Sequence, residues 1–136
     1  MQELKHDPSD PRLLSPLTLA FLGDAVFELL VRERLAAGGS QPANALHKMA
    51  IGKVCAEAQA SAYTRLEPSL TEEELAVLKR GRNANSTKVP KHASPADYRK
   101  ATGLEALFGY LYLKGEVARI NEIYNLIESG ENNAEK

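Results

Sequence analysis

The sequence predicts an all-α fold, and three observations carry that expectation. Apolar residues recur at helical spacing along nearly the whole chain, while strand-like alternation is absent and β-branched clusters are few. Start signals of the Ser-Pro and Thr-x-x-Glu kind open the helical stretches. Glycines close them. With 136 residues, the chain is expected to form one domain.

A polar N-terminal arm over residues 1–14 holds Pro8 and Pro11. The first helix runs from Ser15 or Pro16 to Ala37, with Ser15 as N-cap, Pro16 in the first turn and Gly38-Gly39 as the stop. After Pro42 a second helical region spans Ala43 to Leu66. Its apolar face carries Leu46, Met49, Ala50, Val54, Ala58 and Ala62, and Gly52 is a weak point inside it. Thr71 and Glu74 form a capping box for a short helix ending near Arg80-Gly81. Residues 82–93 read as loop. Ser94-Pro95 then opens a helix that stops at Gly115, and a last amphipathic helix runs from Glu116 to Glu128. The domain therefore covers 15–129, with 130–136 as a disordered tail.

Composition narrows the function classes. Hydrophobic content of 43% beside 26% charged residues is that of a soluble globular protein. No apolar run reaches the roughly 18 residues of a membrane span, and the N-terminus lacks the apolar core of a signal peptide. The single Cys55 excludes an internal disulfide and fits a reducing cytoplasm; its helical setting predicts a small buried residue. Charge is unevenly placed. From Lys79 to Lys100 there are seven basic residues (Lys79, Arg80, Arg82, Lys88, Lys91, Arg99, Lys100) against Asp97 alone. This local +6 in a chain of net charge −1 is either a solvated basic loop or a seat for a polyanion.

Two carboxylates stand in apolar company. Asp24 lies in the run Leu19-Ala20-Phe21-Leu22-Gly23-Asp24-Ala25-Val26-Phe27, which predicts burial. An ionised Asp is almost never buried without a partner. Glu105 is the only acid between Asp97 and Glu116, and Gly109 shares its helical face. Glycine inside a helix costs about 1 kcal/mol, so Gly23 and Gly109 beside the two acids point to a close approach by another helix or a ligand. If the acids face each other, they need a cation or one of them must be protonated. A hard divalent ion such as Mg²⁺ suits an all-oxygen donor set. The competing reading pairs each acid with Arg32, Arg34 or Lys114. Glu28, one turn beyond Asp24, is set to pair with Arg32 at i, i+4 and is also a candidate to stand behind a metal ligand. His6, His47 and His92 form no nucleophilic constellation with Ser, Cys or Asp.

The segment Leu19-Ala20-Phe21-Leu22-Gly23-Asp24-Ala25-Val26 resembles the signature of the ribonuclease III endonuclease domain. Leu104-Glu105-Ala106-Leu107-Phe108-Gly109 resembles its second acidic motif. The short Mini-ribonuclease III subfamily is the nearer match. It shares the continuation to Glu28, Leu46-His47-Lys48, the run Leu78 to Ala84 and the Tyr98-Arg99…Thr102 lead into the second motif. The resemblance implies the family's all-helical endonuclease fold, a homodimer, and Mg²⁺-dependent cleavage of double-stranded RNA with Mn²⁺ as a substitute ion. It implies Asp24 and Glu105 as catalytic, metal-binding residues, and maturation of both ends of precursor 23S ribosomal RNA, leaving 5′-phosphates. A ribosomal protein that presents the substrate belongs to the same expectation. The basic residues named above then become RNA contacts. The larger family members carry further acids where this chain has Leu17, Ala20 and Thr102, and they carry a double-stranded-RNA-binding domain that is not expected here after Glu128. A non-catalytic RNA-binding ribosome-assembly protein on the same fold is the alternative.

Overall fold

The structure is a computed structural model that describes residues 10–84 and 94–134. Among these residues six α-helices follow a 3₁₀ turn at Pro11–Leu13: α1 (Pro16–Ala37), α2 (Ala43–Val54), α3 (Ala56–Leu66), α4 (Glu72–Asn83), α5 (Pro95–Leu113) and α6 (Val117–Ala134). No strand occurs among the described residues.

The starts are set by the residues that predict them. Ser15 Oγ accepts from the Thr18 N–H and Ser94 Oγ from the Asp97 N–H, each with proline in the first turn. Thr71 and Glu74 form the reciprocal capping box, satisfying two amides that would otherwise lack partners. Glu74 is also buried, because Arg119 of α6 grips it with two 2.8 Å hydrogen bonds. That pair ties the last helix to the start of α4.

The core is organised around α5. Every residue from Ala101 to Leu111 is buried except Glu105. Such a helix is apolar all round because α1, α4 and α3 pack about it, with further contact from α6. Leu104, Leu107 and Phe108 meet Leu19, Phe27, Tyr63, Leu66 and Leu78 in one cluster, closed by Ile123 and Tyr124 from α6. The Phe27 ring meets Phe108 edge-on at 5.3 Å. Each such side chain contributes about 1.5–3 kcal/mol on burial.

Several expectations are corrected. The stretch 43–66 is two helices, because Cys55 is extended (ψ 157°) and breaks it three residues beyond Gly52. Cys55 is exposed at that junction, its thiol directed at the Gly52 carbonyl at 3.8 Å. The fourth helix continues through Gly81 to Asn83, since a Cβ at Gly81 would stand 2.8 Å from Ala106 and Gly103 of α5: the glycine serves packing, not termination. The last helix likewise passes Gly130 and reaches Ala134, so helix replaces the expected tail over 130–134. A Cβ at Gly130 would lie 2.7 Å from Arg65 Nε, so the missing side chain makes room for that guanidinium.

Candidate active site

Gly23 of α1 and Gly109 of α5 bring two helix backbones into direct contact. A Cβ on Gly23 would fall 2.5 Å from the Glu105 carbonyl carbon and 2.8 Å from the Gly109 nitrogen. A Cβ on Gly109 would collide with the Leu19 carbonyl oxygen, with the carbonyl carbon behind it at 3.0 Å and the Gly23 nitrogen at 3.1 Å. Real Cβ atoms essentially never approach to such distances, so both positions require glycine. The consequence for chemistry follows from sequence adjacency. Asp24 stands next to Gly23, and Glu105 stands one turn before Gly109, so the crossing sets the two carboxylates side by side.

Their environments differ from the expectation of a pair of buried acids. Asp24 is exposed, while Glu105 is half-buried. The reason is that the apolar stretch around Asp24 feeds two faces of α1. Leu19, Gly23, Phe27 and Leu30 point into the core, whereas Leu17, Phe21 and Leu29 are 41%, 84% and 55% exposed. Asp24 lies at the border between them. The site is therefore a notch open to solvent on the α1 side.

Glu105 is pushed up to about 8, first by burial, then by the charge of Asp24 and a hydrogen bond with it; the Gln59 amide pulls the other way. With no cation present, Glu105 thus keeps its proton into neutral pH. A half-buried acid that holds its proton next to a second, exposed carboxylate marks a place prepared for positive charge.

The expected alternative partners are engaged elsewhere. Arg32 pairs with Glu28 at 3.1 Å, both largely exposed. Arg34 donates to Asn125 at 2.8 Å, reaches Glu128 at 3.5 Å and lies over the Tyr124 ring. Lys114 pairs with Glu73, whose carboxylate also takes the Tyr110 hydroxyl. None of the three pairs with Asp24 or Glu105 among the described residues. Glu28 itself is an ion-pair partner on the surface of α1.

Among the described residues no group of three or more His, Cys, Asp or Glu is placed to hold a metal ion. Two carboxylates, one of them open to solvent, fit a hard divalent ion that keeps several waters better than one caged by protein ligands. The residue missed in the sequence is Gln59 of α3. It is 2% exposed, and its Nε2 donates to Glu105 Oε2 at 3.5 Å. The available signal was its position, three, four and seven residues before Ala62, Tyr63 and Leu66 on an apolar face.

The basic residues divide. Lys79, Arg80 and Arg99 are exposed. Arg82 donates to the Tyr63 hydroxyl at 3.1 Å and to Asn83 at 3.0 Å. Lys100 donates to Thr64 at 3.0 Å and sits 5.7 Å from the Tyr63 ring centre. Arg82 and Lys100 thus meet at one point on α3 and are half-buried there, combining a packing role with positive charge. Lys88, Lys91 and His92 lie outside the described residues.

Comparison with known proteins gives a consistent result. Residues 17–116 match the family model described as the Ribonuclease III domain. The Mini-ribonuclease 3 of Symbiobacterium thermophilum is 50% identical over 115 residues, covering 85% of this chain and 88% of that protein. The Mini-ribonuclease 3 of Brevibacillus brevis is 54% identical, with coverage of 84% and 85%. The crystal structure of protein FN1578 from Fusobacterium nucleatum superposes with a TM-score of 0.79 at 35% identity, over 90% of this chain and 98% of that one.

Proposed function

Since the chain belongs to the ribonuclease III family and its relatives are Mini-ribonuclease 3 proteins, we propose that this endoribonuclease cuts double-stranded RNA at a Mg²⁺ site held by Asp24 and Glu105. The observation that carries the site is the Gly23–Gly109 crossing, which sets the two acids side by side and leaves Glu105 as the single unburied residue of Ala101–Leu111.

The chain's own groups divide the work. Asp24, open to solvent, is the acid that an incoming phosphate and its cation meet first. Glu105 would give up its proton when positive charge arrives and so join Asp24 as a ligand. Asp24 and Glu105 would hold the Mg²⁺, which when bound would supply an activated water and neutralise charge on the leaving 3′ oxygen, in keeping with 5′-phosphate products. Mn²⁺ has the same taste for oxygen and serves as a substitute.

Lys79, Arg80 and Arg99 present charge to the RNA backbone, with Arg82 and Lys100 behind them and Lys88 and Lys91 on the connecting segment. A-form duplex is read by shape and phosphate spacing more than by sequence, which suits such a surface. A homodimer puts two acidic pairs against opposite strands. The exposed apolar stripe Leu13, Leu17, Phe21 and Leu29, bordering Asp24, supports that arrangement. The resemblance points to precursor 23S ribosomal RNA as substrate, with a ribosomal protein presenting it in the cytoplasm. No helix among the described residues is long and apolar enough to cross a membrane.

The test compares wild type with Asp24→Asn and Glu105→Gln on double-stranded RNA with Mg²⁺. Loss of at least about 10²-fold in rate, with duplex binding retained, is expected of both. Cleavage surviving either change would overturn the site. Duplex binding without any wild-type cleavage would turn the reading to the RNA-binding assembly protein.

A further inference from the structure

Gln59 is a carboxamide where the packing asks for an apolar residue. It lies on α3 among Ala60, Ala62, Tyr63 and Leu66, all buried. Its Nε2 donates to the Val54 carbonyl at 3.0 Å, a group left without a helical partner where α2 ends. The same nitrogen donates to Glu105 Oε2 at 3.5 Å. Its Oε1 is buried and accepts nothing among the described residues.

These contacts fix the amide in one orientation. The Val54 carbonyl can only accept, so it must face Nε2, and the amide cannot turn its oxygen there. The second N–H is then committed to Glu105, and Gln59 can act toward that carboxyl only as a donor. An apolar side chain of similar length would leave no orphaned buried oxygen, so the amide is retained at a desolvation cost. What it gains is direction over Glu105. A separation of 3.5 Å is the long limit for a hydrogen bond.

We propose that Gln59 is a positioning residue: clamped against the end of α2, its carboxamide orients the Glu105 carboxylate toward the divalent ion. This rests on the reading of Asp24 and Glu105 as ion ligands. Partners that sit behind metal ligands in this way fix ligand orientation, and their loss weakens ion affinity or activity about 10–100-fold.

The experiment uses Gln59→Met and Gln59→Leu, two apolar side chains of different shape. Mn²⁺ binding is followed by paramagnetic resonance on protein without RNA, and cleavage of duplex RNA is measured against Mg²⁺ concentration. Mn²⁺ affinity should fall about 10–100-fold. The Mg²⁺ needed for half-maximal cleavage should rise in step, while duplex binding in chelator stays at the wild-type level. Wild-type Mn²⁺ affinity in a folded variant would show that Gln59 only ends α2, and so would the failure of both variants to fold. Should the wild type neither bind Mn²⁺ nor cleave, and Asp24→Asn leave that unchanged, the ligand reading itself falls. A wild type that binds and cleaves, beside Gln59 variants that do the same, removes the Gln59 role alone.

Discussion

Replacing Gly23 by Ala adds one methyl group at the contact between α1 and α5, and the structure says what that group meets. The new Cβ would stand 2.5 Å from the Glu105 carbonyl carbon and 2.8 Å from the Gly109 nitrogen, with the Glu105 carbonyl oxygen nearer still. Ordinary contact begins near 3.4 Å. The obstacles are backbone atoms of the most buried helix, so no side chain can swing aside. The helices must part by about an ångström or more along a seam that also holds Leu19, Phe27 and Phe108. Alanine returns about 1 kcal/mol of helix propensity, whereas overpacking costs about 1–3 kcal/mol and more where backbone must move. A net loss of about 2 kcal/mol lowers the melting temperature by about 7 °C for a chain of this length. Thermal and urea denaturation measure it directly. Gly52→Ala is the control: its Cβ meets nothing within 4 Å, so it should be neutral or slightly stabilising. Gly23→Ala as stable as wild type would refute the argument that backbone contact sets the spacing of Asp24 and Glu105. Because the strain falls on Glu105, the variant should also lose cleavage at temperatures where it remains folded.

Without divalent ions, Glu105 is raised from 4.5 to about 8, so the folded chain holds its proton to higher pH than the unfolded chain. That contribution to stability is fully present below 4.5 and is lost as the pH rises through about 8. Urea midpoints in chelator should fall across that window, and Glu105→Gln should flatten the fall; parallel profiles for the two proteins would contradict it. Phe21 is 84% exposed, so Phe21→Ser should leave the monomer fold intact while weakening self-association. A central aromatic is worth about 2 kcal/mol or more and counts twice across a two-fold interface, so the dimer dissociation constant should rise about 10³-fold in sedimentation. An unchanged dimer, or a monomeric wild type, would rule out that face. Lys79→Ala with Arg80→Ala removes two exposed charges. Duplex binding should weaken for all sequences alike, and the slope of log affinity against log salt should fall by about 2 units; an unaltered slope would place the phosphates elsewhere.

Much of the fold was legible because its signals are local. The Ser15 and Ser94 caps, each followed by proline, and the Thr71–Glu74 box act within four residues of themselves, and the structure forms all three. The glycines were legible only in part. Gly81 and Gly130 look like helix stops in the sequence, yet each is a packing site whose neighbour, Ala106 or Arg65, lies on another helix. The break at Cys55 was equally hidden, since what accompanies it is Gln59 turning back to the Val54 carbonyl.

By itself the sequence determined the all-helical architecture, the family, and the two acids beside two glycines. Those depend on residue type and spacing. Only the tertiary structure decided what surrounds the acids. It exposed Asp24, because the described residues leave Leu17, Phe21 and Leu29 on that side of α1 uncovered, and it sent Arg32, Arg34 and Lys114 to other partners. It also placed Gln59 against Glu105, across a separation of 46 residues. Burial and pairing are properties of the assembled helices, and no periodicity along one helix encodes which neighbour will cover it.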